Sequence, residues 1–202
     1  MQHTFNHLPR CVCACSLDMF DTVRKAMRIL IYGAGVIGSL YAALLSETEQ
    51  NVSVYARGKR LESLKEHGLL YRRKGEVRTA EVNVLRVLDP DDKYDFIILT
   101  VRENQLMQAL RELKNNCSQT IVTMVNSLDT YDNWEEICGK GRILPAFPGA
   151  GGGFDGDILE ADLTPRLIQP TTIGRTDGRE KRFAGILKMA GIPCQIVPDM
   201  HV

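Results

Sequence analysis

The 202-residue sequence contains no apolar run of the roughly 18 to 20 residues that a membrane-spanning helix requires. It also has no excess of charge of either sign, because Lys plus Arg and Asp plus Glu both count 25. A chain balanced in this way has no overall field that attracts nucleic acid or anionic lipid. We therefore expect no nucleic-acid or membrane partner, and any anion recognition should be local.

The cysteines show no pattern typical of disulfides or of metal sites. Six are present, of which Cys11, Cys13 and Cys15 lie close together and the others are scattered. The short apolar stretch around these three runs into Asp18 and Asp21, which is unlike a secretion signal. The Cys-x-Cys-x-Cys spacing also lacks the CxxC knuckle of zinc sites. We expect reduced thiols, no metal site and a cytoplasmic protein.

The first 26 residues differ from the rest of the chain, since they carry no sustained helical or strand periodicity. An apolar strand pattern opens at Met27, which is itself suited to be an initiator. We predict that residues 1–26 are an unstructured tail or a misassigned start. Residues 27–202 should then form a single domain, for which the 44% of apolar residues provides a sufficient core.

From Met27 onwards, strand and helix patterns alternate. Apolar runs predict strands at residues 28–32, 52–56, 95–101, 120–125, 142–146 and 194–197. Helices are predicted at residues 36–46, 59–67, 104–113, 131–138 and 179–189. This alternation is typical of an α/β fold of the Rossmann type, with a doubly wound, mostly parallel sheet.

Three segments break the alternation. Residues 69–73 and 76–84 resemble an antiparallel pair, and residues 158–173 suggest two short strands or a hairpin. The glycine cluster at residues 148–153 follows a strand, but no helix begins after it, so it is a poor phosphate loop. We expect a mobile loop near the mouth of a cofactor site, with a plain connector as the alternative.

The segment with the clearest chemistry joins the first strand to the first helix. It has the GxGxxG pattern of dinucleotide-binding turns and contains Gly33, Ala34, Gly35, Val36, Ile37 and Gly38. In such turns Gly33 allows the chain to turn, Gly35 allows a pyrophosphate to approach the backbone, and Gly38 allows the helix to pack closely. The free N–H groups of the helix would then face the negative charge.

The end of the second strand indicates which dinucleotide is bound. Sites for NAD usually place Asp or Glu about 20 residues beyond the glycine pattern, to bind the ribose 2′-hydroxyl. Here the stretch from Val54 to Arg60 contains no acid, and Arg57 is suited to bind a 2′-phosphate, with Lys59 or Arg60 as further contributors. Charged hydrogen bonds of about 1.5–3 kcal/mol would favour NADPH over NADH by roughly ten- to a hundredfold. The alternative is that these residues are solvated side chains at the start of a helix.

Longer stretches around these residues resemble a known family. RILIYGAGVIGSLYAALL, VSVYARGKRLESLKEHGL and YDFIILTVRENQ are similar to the ketopantoate reductase (2-dehydropantoate 2-reductase) family. The resemblance runs from Met27 almost to the end and covers the family's N-terminal, cofactor-binding domain. It implies an NADPH-dependent oxidoreductase that reduces an α-keto acid to a 2-hydroxy acid, with Arg57 at the 2′-phosphate.

The resemblance adds three candidate cofactor-binding residues. Arg102 stands where the family usually has Lys, and Gln105 matches the Gln that follows three residues later. Of the family's Gln-Asn-Gly at the end of the next strand, only Asn126 is present, and the resemblance places it near the nicotinamide. The alternative is a surface charge at Arg102 and a turn residue at Asn126. The two departures leave the identity of the keto acid open.

The resemblance also implies a helical second domain, which in the family carries the catalytic Lys and substrate-binding residues. The chain stops at Val202, near the point where that domain begins in the family, so we expect a truncated chain that lacks it, and the general acid is unknown. The alternatives are a stand-alone NADPH-binding module or sensor, and a decayed protein that binds nothing. A homodimer through the apolar surface near residues 192–202 also stays open.

Overall fold

A computed structural model of the chain describes residues 26–127, 129–198 and 200, so residues 1–25 and the cysteines of the predicted tail lie outside the described part. The strands are β1 (Arg28–Tyr32), β2 (Asn51–Tyr55), β3 (Leu69–Arg73), β4 (Glu76–Ala80), β5 (Asn83–Leu85), β6 (Phe96–Leu99), β7 (Ile121–Thr123), β8 (Ile143–Phe147), β9 (Ala150–Asp155), β10 (Ile158–Leu163), β11 (Thr171–Gly174) and β12 (Cys194–Val197). The helices are α1 (Val36–Ser46), α2 (Gly58–His67), α3 (Glu103–Lys114), α4 (Tyr131–Cys138) and α5 (Arg179–Met189). No helix among the described residues is long and apolar enough to cross a membrane.

The predicted doubly wound sheet is confirmed. Eight strands lie in the order β12-β11-β8-β7-β6-β1-β2-β5, and all neighbours are parallel except β8 and β11. From β1 the chain proceeds outward through β2 to β5, and it then returns to place β6 on the other side of β1. The order from β5 to β8 is that of the Rossmann fold, with its topological switch point between β1 and β6.

The central strands are buried on both faces, which explains their nearly continuous apolar sequences. In β1, Ile29 and Ile31 pack into the core cluster that contains α1 and α5. Leu30 and Tyr32 point the other way, into the cluster that contains α3 and α4. The strand ends are in register, since Tyr32 lies opposite both Tyr55 of β2 and Leu99 of β6. The loops that follow these strands therefore meet at one edge of the sheet.

A second sheet, which the sequence did not predict, covers the far side of α1. Its strands lie in the order β4-β3-β10-β9, and α1 contacts strands of both sheets. The residues of α1 from Gly38 to Leu45 are consequently all buried. On α1, the buried Tyr41 hydroxyl hydrogen-bonds the Thr171 hydroxyl of β11 in the main sheet at 2.5 Å, and burial raises the pKa of Tyr41 to about 12.

The glycine cluster at residues 148–153 is neither the expected mobile loop nor a plain connector, because most of it belongs to β9. This strand pairs with β10 in antiparallel register, with Gly152 opposite Ala161. Gly152 has φ +153°, and a Cβ added there would lie closer than 3.0 Å to the Glu160 carbonyl oxygen. The glycine composition thus permits a close approach of two strand backbones.

Two other irregular segments also need correction. The antiparallel pair predicted at residues 69–73 and 76–84 is confirmed as β3 and β4, but the second strand ends at Ala80, and the separate strand β5 pairs with β2 at the edge of the main sheet. Residues 158–173 do form two short strands, as one alternative proposed. These strands do not form a hairpin, because β10 lies in the second sheet and β11 in the main sheet.

Candidate cofactor-binding site

The turn after β1 requires glycine at its two ends for different reasons. Gly33 has φ +114°, a conformation that other residues rarely adopt, and its N–H donates to the Tyr55 carbonyl oxygen at 3.2 Å. At Gly38 an added Cβ would lie closer than 3.0 Å to the Gly33 carbonyl oxygen and to Thr100 Oγ1. The first turn of α1 therefore packs directly on the loops that follow β1 and β6.

Neither a positive φ nor close packing explains the glycine at position 35. Its φ of −73° suits any residue, and a Cβ built there meets nothing within 4 Å among the described residues. Gly35 is the N-cap of α1, where no side chain of the described part caps the helix and no acid lies in its first turn. The backbone N–H groups at this helix end thus face an open space, with the positive end of the helix dipole behind them.

That open space is a cavity of about 350 Å³ at the switch point, which we call the edge cavity. Its walls come from the glycine turn, from the loop after β2 and from the start of α3. Among the predicted site residues it is lined by Gly33, Ala34, Gly35, Arg57, Arg102 and Gln105. Val36, Ile37 and Gly38 form the first turn of α1 beside it. Asn126 is exposed beyond the end of β7 and does not line it.

Gln105 has a structural task besides facing the cavity. Its side-chain oxygen accepts the backbone N–H of Arg102 at 3.4 Å, which caps the start of α3. Both side chains are exposed to solvent. The arrangement keeps Gln105 at the cavity wall and leaves the Arg102 guanidinium available to an anion.

Arg57 is held by the neighbouring Tyr55 and by two partners that lie far from it in sequence, Tyr32 and Glu112. Its Nε donates to the Tyr55 hydroxyl at 2.8 Å, its Nη2 donates to the Tyr32 hydroxyl at 3.0 Å, and Nη2 also forms an ion pair with Glu112 of α3. Although burial acts against the charged form, the hydrogen bonds to Tyr55 and Glu112 raise the pKa of Arg57 above its ordinary value. The guanidinium is therefore oriented and permanently charged at the cavity wall.

Arg60 supports the glycine turn instead of standing free beside Arg57. Its Nε donates to the Ala34 carbonyl oxygen at 3.2 Å, and its Nη2 donates to Ser39 Oγ at 3.3 Å. The guanidinium also lies over the Phe154 ring, 4.4 Å from its centroid. Burial lowers the pKa of Arg60, yet the group stays cationic at any ordinary pH. It thus places a second positive charge beside the turn.

The sequence reasoning missed Glu112, although a signal for it exists. Gln105, Gln108 and Glu112 are spaced so that they share one face of a helix. Because the edge cavity includes Gln105 and Gln108, an acid one turn further on lies near the same loops. The acid of an NAD site usually lies close to the end of β2, whereas Glu112 reaches these loops from α3, through tertiary structure.

Comparison with known proteins gives consistent relatives. The 2-dehydropantoate 2-reductase of Archaeoglobus fulgidus is 26% identical over 179 residues, which cover 88% of this chain and 58% of that protein. The protein of the same name from Pyrococcus horikoshii is 28% identical over 116 residues, which cover 56% of this chain and 38% of that protein. The chain thus spans about half the length of the curated relatives it matches.

Solved structures share the fold. A ternary structure of D-mandelate dehydrogenase with NADH and anilino(oxo)acetate has a TM-score of 0.71 at 21% identity, covering 85% of this chain and 57% of that chain. A PanE/ApbA family ketopantoate reductase from Ralstonia eutropha has a TM-score of 0.72 at 18% identity, covering 86% and 57%.

The family profile described as ketopantoate reductase PanE/ApbA matches residues 29–160. This range contains the glycine turn, Arg57 and every wall of the edge cavity. The chain therefore belongs to the ketopantoate reductase PanE/ApbA family.

Proposed function

We propose that the chain binds a nicotinamide dinucleotide in the edge cavity, with the pyrophosphate on the turn at residues 33–38. The observation that carries the proposal is Gly35, where an added side chain would meet only open space in front of an uncapped helix N-terminus. Phosphate oxygens at that point would accept hydrogen bonds from the free backbone N–H groups of α1. The NADH in the similar D-mandelate dehydrogenase structure supports this class of cofactor.

NADPH is the dinucleotide that we propose as preferred. In this fold the adenosine ribose lies beside the end of β2. Arg57 follows that strand and lines the cavity, and a guanidinium can bind a 2′-phosphate with two parallel hydrogen bonds. Arg102 and Gln105 would contact the adenosine portion from the opposite wall. The relatives named 2-dehydropantoate 2-reductase are in keeping with a reductive cofactor.

The nicotinamide end would extend along the sheet edge toward Asn126. Arg57 follows β2 and Asn126 follows β7, so the two residues bracket the carboxyl ends of β1 and β6. A dinucleotide with its pyrophosphate at the switch point would reach in both directions along this edge. We therefore propose Asn126 as a nicotinamide contact, although it lies outside the edge cavity.

The proposed reaction is the reduction of an α-keto acid to a 2-hydroxy acid. The bound dinucleotide supplies the hydride, and the residues described here bind and orient it. Reduction of a ketone also needs a proton donor close to the carbonyl oxygen. We propose that residues 27–202 are the cofactor-binding domain of such a reductase, with the proton donor outside the described residues.

Fluorescence titration with NADPH and NADH tests the proposal. We expect the chain to bind NADPH with a Kd below about 100 μM, equivalent to roughly −5.5 kcal/mol, and to bind NADH more weakly. The Arg57→Ala variant should lose most of this preference, about tenfold, because the charged contact to the 2′-phosphate is gone. Addition of 2-dehydropantoate should lower the absorbance of the NADPH complex at 340 nm only when the protein also contains the proton donor that we place outside the described residues.

Arg72→Ala provides a matched control. Arg72 also pairs with an acid, Glu160, but both residues lie in the second sheet, away from the edge cavity. This variant should keep the wild-type ratio of affinities. Absence of binding to either dinucleotide would reject the proposal, and a loss of absorbance at 340 nm with this chain alone would reject the placement of the proton donor outside the described residues.

A further inference from the structure

The Glu112 carboxylate is the common partner of the polar groups behind the edge cavity. The hydroxyls of Tyr32 and Tyr55 and the Arg57 guanidinium all donate to its Oε2 atom. Its other oxygen, Oε1, accepts from Gln108 Nε2 at 3.4 Å. The Tyr32 and Tyr55 rings pack together with centroids 4.6 Å apart, which holds their hydroxyls side by side. The carboxylate is thus oriented by the tyrosines of β1 and β2 and by Gln108 of its own helix, α3.

The ion pair of Arg57 and Glu112 lies between two cavities. Arg57 and Tyr55 line the edge cavity on one side. The same two residues, together with Glu112, Arg86 and Asn115, line a second cavity of about 330 Å³ on the other side. The pair is accessible to solvent, with 46% of the Arg57 side chain and 36% of the Glu112 side chain exposed. A group that binds Arg57 from the edge cavity must therefore share it with Glu112.

The two dinucleotides would meet this pair differently. A 2′-phosphate that binds the guanidinium with two parallel hydrogen bonds needs Nη2 of Arg57, which already donates to Glu112, and the phosphate charge is repelled by the carboxylate. A ribose 2′-hydroxyl is neutral and can donate to a carboxylate, as it does to the acid at the end of the second strand in NAD sites. The ion pair thus contains a cation, Arg57, that favours NADPH and an anion, Glu112, that favours NADH.

We propose that Glu112 is a specificity-determining residue that lowers the preference for NADPH by competing with the 2′-phosphate for Arg57. The proposal rests on the proposed dinucleotide binding at the edge cavity. NAD sites usually have an acid at the end of the second strand, and this chain has none there. Glu112 would take over that role from α3, which tertiary structure brings beside β2. The chain would therefore use both dinucleotides within a narrower ratio of affinities than Arg57 alone would produce.

The test is a titration of wild type and Glu112→Gln with NADPH, NADH, 2′,5′-ADP and 5′-AMP. The amide removes the charge and keeps one acceptor oxygen for the two tyrosine hydroxyls, while the oxygen that accepts from Gln108 becomes a donor. We expect the ratio of the NADH to the NADPH dissociation constant to rise about three- to tenfold. The rise should be modest, because an exposed charge pair contributes less free energy than a buried one. The ratio of the 5′-AMP to the 2′,5′-ADP dissociation constant should rise by the same factor, since these two probes also differ only by the 2′-phosphate.

Two further variants separate this role from a structural one. In the Arg57→Ala background, Glu112→Gln should raise the ratio by less than it does in wild type, because the competition for Arg57 is absent and only the direct effects of the carboxylate on the ribose and its phosphate remain. Glu112→Asp keeps the charge but shortens the side chain, so the ratio should rise by less than with Gln. This variant also serves if Glu112→Gln does not fold. Glu81→Gln, which removes an exposed acid that lines neither cavity, should leave the ratio unchanged.

The outcomes distinguish the two proposals. If wild type binds neither dinucleotide, the proposed function fails and this inference fails with it. If wild type binds but Glu112→Gln raises both affinities equally, or changes neither, Glu112 is not a specificity determinant and only this inference is overturned. A rise of the same size in the Arg57→Ala background would also overturn it.

Discussion

At the scale of single residues, Glu180 is a buried carboxylate whose partners are all close in sequence. It lies near the start of α5 with 2% of its surface exposed. Its Oε2 atom accepts the backbone N–H groups of Gly178 at 2.8 Å and Thr176 at 3.3 Å, and the Thr176 hydroxyl at 3.1 Å. Burial acts to raise the pKa of Glu180, but these hydrogen bonds lower it below the ordinary value. The charged form therefore stabilises the loop that precedes α5.

The pH dependence of stability tests whether the charged form of Glu180 stabilises this loop. Since the pKa of Glu180 is lower in the folded than in the unfolded state, its contribution is fully present above the unfolded value of about 4.3 and is lost as pH falls through the folded value. Glu180→Gln should lower the free energy of unfolding at pH 7 by about 1.5–3 kcal/mol, because charged hydrogen bonds are removed. Urea denaturation at pH 7 and at pH 3 should show this gap shrink. A gap of the same size at both values would contradict the assignment, and Glu136→Gln at an exposed position of α4 is the control.

The candidate site was predictable where its chemistry is local. Gly33, Gly35 and Gly38 follow from the spacing along the chain, because the turn must fit its own strand and helix. Glu112 does not follow, because its contact with Arg57 needs α3 to pack beside β2. Arg60 lines the edge cavity, but its hydrogen bond to the Ala34 carbonyl depends on the close approach of two loops and could not be predicted from spacing along the chain.

At the scale of elements, β9 shows how neighbouring glycines can differ. Gly152 has φ +153° and no room for a Cβ beside the β10 backbone, whereas Gly153 has open space. We expect Gly152→Ala to lower the free energy of unfolding by about 2–4 kcal/mol through strain and overpacking. Gly153→Ala should change it by less than about 1 kcal/mol. Chemical denaturation of both variants measures the difference, and equal effects would mean that β9 and β10 do not approach as described.

The same strand explains which elements the sequence predicted and which it missed. The bounds of α1, α4 and α5 were correct, because helical periodicity and turn residues are local signals. The glycine-rich strand β9 has no apolar alternation, so its pairing with β10 could not be read from it. One indirect signal existed: α1 is apolar on nearly every face, and such a helix must be covered on both sides. That requirement predicts a second layer without identifying it.

At the scale of the whole molecule, α1 connects the candidate site to the core. Its N-terminus opens on the edge cavity, and its body lies between the two sheets. A ligand bound at this helix end would contact an element that packs against strands of both sheets. Binding to the folded state alone should then stabilise the entire fold.

The thermal midpoint is a direct measure of this linkage. NADPH at 100 times its Kd should add about 2.7 kcal/mol to the free energy of unfolding. For a domain of this size that corresponds to a rise in Tm of roughly 5–10 °C. Gly35→Asp should keep or slightly raise the Tm without ligand, because its side chain enters open space and Asp is a favourable N-cap.

The same variant should lose the rise in Tm with NADPH, because a carboxylate would occupy the place of the pyrophosphate. Gly38→Ala is the informative contrast, since its Cβ would collide with the Gly33 carbonyl oxygen and lower the Tm even without ligand. A full NADPH response in Gly35→Asp would place the pyrophosphate elsewhere. Loss of stability in both variants would mean that Gly35, like Gly38, serves packing within the protein and leaves no space for a ligand.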